Sequence, residues 1–205
     1  MVFCQKVLNI QKKEKMIDQK IIEQFSDGIR VIMLCQRNKE GRETNKTDRA
    51  SIKKISTDKE EFFKILAEFQ EIKNKSNNFL RIYSCVNRRD IQKAIMNFKR
   101  EQLEADFYDE TNRNNFYFDI RNRWISSLMQ QNARVETLFL IDIDNIIGNK
   151  NISYIEKHLS TIEAEIICKY ETKNGIHLIT KPFNPNLFNN EFGEIKKDAL
   201  LLLDF

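Results

Sequence analysis

The sequence lacks the features that would place it in a membrane or among disulfide-stabilised proteins. No stretch approaches the roughly 20 consecutive apolar residues that a membrane-spanning helix needs, and the N-terminal residues lack the apolar core and cleavage site of a secretory signal. The four cysteines are far apart and form no C-x-x-C pair, so neither a zinc ribbon nor a redox dithiol is indicated. We therefore expect a cytoplasmic protein with reduced thiols.

The chain also has little excess of charge of either sign, because 34 basic residues are balanced by 30 acidic ones and leave a net charge of +4. Such a balance permits a nucleic-acid partner without requiring one. The hydrophobic fraction of 41%, with 15 phenylalanines, excludes a disordered chain. A length of 205 residues is enough to bury an ordinary core.

The first two thirds of the chain, residues 1–134, predict an N-terminal α/β lobe. Helical and strand-like periodicities alternate there, and Asp27-Gly28 and Asn87 stand at predicted boundaries, the latter as a helix cap. We predict helices over 5–25, 57–72, 88–105 and 112–130, strands over 29–35 and 80–86, and a mobile loop over 36–54.

Residues 135–205 predict a second unit with the order βαββαβ, the ferredoxin-like or RRM-like arrangement, so that the whole chain is α+β. Lys173-Asn174-Gly175 suits a tight hairpin turn, because Asn and Gly tolerate the positive φ angles of that turn. In such a unit the strands lie in the order four, one, three, two, all antiparallel. We predict strands over 138–144, 166–171, 176–180 and 199–204, a helix over 152–165, and a short helix or coil over 184–192.

This topology brings acidic residues and one histidine together. Asp142 and Asp144 share one face of the first strand, because side chains alternate along a strand. His177 lies on the adjacent central strand and should be close to Asp144. The start of the fourth strand, around Asp198, should lie on the other side of the aspartates, whereas Asp204 should lie away from them.

The chemistry that suits this arrangement is phosphoryl transfer. Two carboxylates on one face repel each other unless a cation lies between them, and all-oxygen ligation favours Mg²⁺ or Mn²⁺. Such ions bridge to phosphate oxygens, so we expect Asp142 and Asp144 to be metal ligands and His177 to contact a triphosphate. Four lysines flank the site and would face phosphate: Lys173, Lys181, Lys196 and Lys197.

These segments resemble motifs of the archaeo-eukaryotic primase superfamily, the primase-polymerases. FLIDID, ending at Asp144, resembles the apolar D-x-D motif, and Gly175-Ile176-His177 is similar to the motif of a small residue followed by x-His. For the third motif, an apolar residue followed by an acidic one, Leu203-Asp204 matches the letters, whereas the strand topology favours Asp198. The catalytic palm of that family is built on the same RRM-like unit and follows an αβ lobe.

The resemblance implies a small nucleotidyltransferase of DNA replication that adds nucleotides to a nucleic-acid strand, with Asp198 as a third catalytic carboxylate. Its implied partners are a nucleoside triphosphate, a DNA or RNA template, and a helicase or other replication protein. A weaker signal for nucleic-acid binding comes from the basic side chains of Arg88, Arg89, Lys93 and Arg100.

Two alternatives remain open from the sequence. A catalytically degenerate domain of the same type would bind nucleic acid or a replication partner without metal-dependent nucleotide binding. A rolling-circle nickase uses the same unit but needs paired histidines and a nucleophilic tyrosine on a helix after the sheet. Only one of the two histidines lies near this site, so the nickase is the weaker alternative.

Overall fold

The structure is a computed structural model that describes residues 18–36, 51–76, 79–108, 110–144, 152–172 and 175–204. The chain is α+β, with two antiparallel four-stranded sheets, one in the order β2-β1-β3-β8 and the other in the order β5-β6-β4-β7. The strands are β1 (Arg30–Gln36), β2 (Ser51–Ser56), β3 (Leu80–Cys85), β4 (Phe139–Asp144), β5 (Ile166–Glu171), β6 (Gly175–Thr180), β7 (Glu194–Lys196) and β8 (Leu200–Asp204).

One helix of the described residues precedes β1 and the others lie between strands. Three of the helices begin at an aspartate that caps the first turn. Asp18, Asp58 and Asp90 each accept a hydrogen bond from a backbone N–H of that turn, which satisfies donors that the helix itself leaves unpaired. The helices are α1 (Gln19–Gln24), α2 (Lys59–Lys75), α3 (Ile91–Phe107), α4 (Glu110–Phe118), α5 (Ile120–Met129) and α6 (Ile152–Thr161).

The first sheet is covered on both faces, and its strand β1 carries apolar residues in consecutive positions. Ile32 and Leu34 of β1 join a core cluster that includes Phe62 and Phe69 of α2. Val31 points to the opposite face and packs in a second cluster supplied by α3 and α5. Helices therefore cover this sheet on both sides, as expected for strands that lack polar alternation.

The second sheet has one apolar face and one face whose side chains become more exposed and more polar along β4. Ile141 and Ile143 of β4 pack against α6, which confirms the prediction that a helix covers them. The other face of β4 begins with Leu140 in the main core, continues with the half-buried Asp142 and ends with the exposed Asp144. The alternating side chains of one strand thus lead from the core to solvent.

A fourth strand was predicted over 199–204 of the C-terminal unit, and its predicted pairing with the first strand of that unit is wrong. The segment forms β8, but β8 pairs with β3 at the edge of the first sheet, and the short β7 occupies the place beside β4. The segment 184–192, expected as a short helix or coil, contains a single 3-10 turn, Pro185–Leu187. The C-terminal third of the chain is therefore shared between both sheets.

Several boundaries in the N-terminal part also differ from the predictions. The helix expected over 112–130 is two helices, α4 and α5, and the end of the expected loop over 36–54 forms β2. Asp90 caps α3 in place of Asn87, whose amide instead exchanges hydrogen bonds with the backbone of Leu138. The rest of that loop, residues 37–50, and residues 5–17 of the first predicted helix lie outside the described residues.

A polar junction joins the two sheets where β3 ends and where the chain leaves β7 for β8. The guanidinium of Arg89, whose side chain has no solvent exposure, donates to Asp198 at 2.8 Å. Asn87, two residues before it, binds the Leu138 backbone N–H at 2.6 Å, just ahead of β4. Because Asp198 lies between β7 and β8, this ion pair fixes the point at which the chain crosses from one sheet to the other.

In the described parts of the chain, no helix has both the length and the apolar character needed to cross a bilayer.

Replacing Asp198 by Ala should destabilise the fold strongly, because it would leave the Arg89 guanidinium buried and unpaired. Removing one partner of a buried ion pair costs roughly 3 to 5 kcal/mol, measurable as the free energy of unfolding in urea. The control is Glu68→Ala, which removes an ion pair with Lys54 that is partly exposed on both sides and should cost at most about 1 kcal/mol. Equal effects of the two changes would contradict the structural role of Asp198.

Candidate functional site

Four side chains form a transverse row across the second sheet. Asp142 on β4 lies directly opposite His177 on β6 and opposite Glu194 on β7. Tyr170 on β5 lies directly opposite His177 on its other side. Directly opposed residues of antiparallel strands point to the same face. The order across the face is therefore Glu194, Asp142, His177, Tyr170, which we call the polar row.

Asp142 is the centre of the row, and both of its carboxylate oxygens are in use. His177 Nε2 lies 2.9 Å from Oδ1, and the Lys196 ammonium lies 2.5 Å from Oδ2. The hydrogen bond from His177, together with Lys196 and against the effect of partial burial, holds the pKa of the Asp142 carboxyl well below its usual range. Asp142 is therefore ionised at neutral pH.

Lys196 links Asp142 to the outer end of the row. Its ammonium also lies 3.4 Å from the carboxylate of Glu194. Partial burial lowers the pKa of Lys196, but the hydrogen bond to Asp142 and the charges of both carboxylates outweigh that effect and raise it. One ammonium thus contacts both of the carboxylates that the strand pairing brings to one face.

Tyr170 closes the inner end of the row. Its hydroxyl lies 2.6 Å from His177 Nδ1, and its ring meets the imidazole edge to face, with 5.0 Å between the ring centroids. Tyr170 is only 5% exposed and belongs to the main core cluster. Burial raises the pKa of its hydroxyl far above the usual range, so it remains a protonated phenol.

Asp144 lies at the open end of the face, next to glycine. It pairs in register with Gly175, so the neighbouring strand places no side chain beside its carboxylate. A Cβ at Gly175 would approach the carbonyl oxygen of Ile143 to 1.9 Å. Glycine is therefore required at this position for β4 and β6 to pair.

The two residues predicted as third carboxylates lie elsewhere. The position expected for Asp198, beside the aspartates, is wrong, because the strand that follows it pairs with β3 and its side chain binds Arg89. Asp204 was expected to lie away from the site, and its carboxylate makes a buried ion pair with Lys73 at 2.9 Å. The carboxylate that lies next to Asp142 is Glu194.

The lysines predicted to face phosphate differ in where they lie relative to the polar row. Lys181 follows the far end of β6, about 13 Å along the strand from His177, and pairs with Glu165. Lys197 is exposed and follows β7, while its neighbour Lys196 reaches Asp142. Lys173 lies outside the described residues.

The basic residues considered for nucleic-acid binding are largely engaged in structural contacts. Arg89 is buried on Asp198, and Arg88 forms an ion pair with Glu136 at 2.6 Å. Lys93 donates to the backbone carbonyl of Arg134. Arg100 is exposed and donates to the side chain of Gln130 at 3.4 Å. These contacts account for Arg89 without any ligand.

Among the described residues, no three His, Cys, Asp or Glu side chains are arranged to hold a metal ion. The donor atoms on the open face are nevertheless of the right kind for a hard cation, since Asp142, Asp144 and Glu194 all offer carboxylate oxygens. The position between Asp142 and Glu194 already attracts one positive charge, that of Lys196.

No family model matches the chain, and neither the curated proteins nor the solved structures include a match to it.

The site predicted from the sequence left out Glu194 and Tyr170, and it included Lys196 only as one of four flanking lysines. A signal existed for Tyr170, because a two-residue hairpin loop pairs Thr172 with Gly175, and counting back from there places Tyr170 opposite His177. The Thr172 N–H indeed donates to the Gly175 carbonyl at 2.8 Å. No comparable signal existed for Glu194, since β7 has only three residues and follows an irregular segment.

Replacing Gly175 by Ala should break the pairing of β4 with β6 and separate Asp142 from His177. Forcing a methyl group into a closely packed position costs roughly 1 to 3 kcal/mol, which the denaturation midpoint would report. Asn190→Ala, at an exposed position, is the control and should leave the midpoint unchanged. A Gly175→Ala protein as stable as the control would contradict the close approach of the two strands.

Proposed function

We propose that this chain is a primase-polymerase-like nucleotidyltransferase that uses a divalent metal ion to add nucleotides to a nucleic-acid strand. The single observation that carries the proposal is the contact between Asp142 and His177. It joins the D-x-D segment and the G-x-H segment, which begin 33 residues apart in the sequence, in one hydrogen bond between adjacent strands.

The order of the second sheet also supports this proposal. If β7 is taken as the fourth strand, the order β5-β6-β4-β7 is that of an RRM-like palm. The third carboxylate would then be Glu194, because β7 brings it opposite Asp142. The sheet order and the acidic side chain thus agree on the same strand.

Mg²⁺ or Mn²⁺ would be held by Asp142 and Asp144, with Glu194 beside them. Bound there, the ion would bridge to triphosphate oxygens and neutralise the charge that develops in phosphoryl transfer. His177 would donate from Nε2 to the triphosphate once Asp142, which accepts that hydrogen in the unbound site, ligates the ion. The template, DNA or RNA, and a partner such as a helicase belong to the same proposal.

Lys196 occupies part of the place that a cation would take, so the strength of its ion pair matters. Its side chain is 39% exposed, and partly exposed ion pairs contribute only about 0 to 1 kcal/mol. A divalent ion carrying a triphosphate would displace it at small cost. The released ammonium would then lie next to the phosphates, which is the role expected of the flanking lysines.

A second candidate function is a degenerate domain of the same type that binds nucleic acid or a replication partner without catalysis. The observation that favours it is the occupation of both Asp142 oxygens by His177 and Lys196. Under this alternative the ion pair with Lys196 is permanent and replaces the metal. Calorimetry with a deoxynucleoside triphosphate and Mn²⁺ separates the two candidates, because only the enzyme should bind the metal and the nucleotide together.

The double change Asp142→Ala/Asp144→Ala should abolish nucleotide addition, since it removes both strand-borne oxygen ligands of the ion. Primer extension and priming on single-stranded templates, with Mg²⁺ and with Mn²⁺, measure the effect. Glu194→Gln in the same assay should also lower the rate strongly, because it removes the charge of the third carboxylate.

The matched control is Glu156→Ala/Glu165→Ala, which removes two carboxylates that pair with partly exposed lysines on the same sheet. The control should retain full activity, and thermal unfolding should show that all variants are folded. Extension by the double aspartate variant at the native rate would reject the proposed function.

Replacing Lys196 by Met should have opposite effects on metal and nucleotide. Affinity for Mn²⁺ alone should rise by up to about fivefold, the equivalent of roughly 1 kcal/mol for a lost competing ion pair. Affinity for the Mn²⁺-triphosphate should fall, because the phosphates lose an ammonium partner. Electron paramagnetic resonance of Mn²⁺ measures the first and calorimetry the second.

Lys169→Met is the control for this change, because it removes an equally exposed lysine that pairs with Glu156 away from the row. Neither affinity should change in that variant. A Lys196→Met protein with weaker Mn²⁺ binding would show that the lysine does not compete with the ion.

A further inference from the structure

The proton arrangement in the polar row is determined by its hydrogen-bond partners. The Asp142 carboxylate only accepts hydrogen bonds, so His177 Nε2, which lies 2.9 Å from it, carries a hydrogen. In the neutral imidazole the other nitrogen, Nδ1, is then an acceptor. The only donor that the described residues place against it is the hydroxyl of Tyr170, at 2.6 Å.

Tyr170 is itself held from the other sheet. Its ring belongs to the main core cluster, to which β8 of the first sheet contributes Leu201 and Leu203. The ring is packed in the main core, together with Leu140 and Ile179. The core therefore fixes the place of the Tyr170 ring, and the hydroxyl lies within hydrogen-bond distance of His177 Nδ1.

We propose that Tyr170 is a positioning residue that holds His177 in the Nε2–H tautomer, with the N–H directed along the polar row toward Asp142. The inference rests on the proposed function, in which that N–H serves the triphosphate. In the opposite tautomer Nε2 would present a lone pair to phosphate oxygens, which repel it. Tyr170 excludes that arrangement because its O–H needs an acceptor at Nδ1.

Tautomer measurements on the imidazole nitrogens test this directly, without nucleotide or metal. The chain has only two histidines, so ¹⁵N-histidine labelling gives a simple spectrum in which His158 is the internal reference. The spectra should be recorded at a pH at which the ¹⁵N shifts themselves show a neutral ring. The informative background is Asp142→Ala, in which Tyr170 alone can hold the ring.

We expect Asp142→Ala to retain the Nε2–H tautomer of His177, and Asp142→Ala/Tyr170→Phe to relax to the mixed tautomers of a free imidazole. Asp142→Ala/Tyr154→Phe is the control, because Tyr154 lies on α6 and its ring is exposed; it should match Asp142→Ala alone. Mixed tautomers already in Asp142→Ala would overturn the proposal even if the Tyr170 variant failed to fold. An unchanged Nε2–H tautomer in the double variant would overturn it as well.

A second measurement connects the tautomer to function. Tyr170→Phe in the otherwise native chain should weaken binding of the Mn²⁺-triphosphate by roughly tenfold, the effect of one lost hydrogen bond in a buried network, and Tyr154→Phe should not. Unchanged affinity would refute the positioning role. If the native chain binds no nucleotide, the proposed function fails, whereas the tautomer result is unaffected.

Discussion

The ion pair between Arg89 and Asp198 is the constraint on which the arrangement of both sheets depends. It holds the chain at the point where β7 ends in one sheet and β8 begins in the other. Buried ion pairs contribute little net stability compared with apolar packing, but they tolerate few alternative geometries. Here the pair lies where the chain passes from β7, beside β4, to β8, which shares its core cluster with Tyr170.

The site follows from this division of strands. β7 brings Glu194 and Lys196 to Asp142, while β8 contributes Leu201 and Leu203 to the core in which Tyr170 packs. One end of the polar row is anchored in the core and the other reaches solvent. Because the row runs from the core to solvent, its charged side chains are held in place without the full free-energy cost of desolvation.

Local sequence patterns predicted most of the helices and strands. The pairing of strands that are distant in the sequence could not be predicted from them. The cap at Asp58 and the apolar stripe of α2 are contiguous signals, as are the alternation in β4 and the hairpin before His177. The partner of β8 is not local, because an apolar strand fits either sheet equally well by composition. Asp198 was therefore assigned to the aspartate pair, although the partner that neutralises it, Arg89, lies 109 residues earlier.

The late position of β8 in the sequence has a consequence for folding during translation. Leu201 and Leu203 of β8 complete the core on which the first sheet depends, yet they are among the last described residues to leave the ribosome. Nearly 115 residues separate β8 from its neighbour β3, so closing that edge is a slow, entropically costly step. Until then β3 has an unpaired edge, which is the part of the nascent chain that a chaperone would best bind.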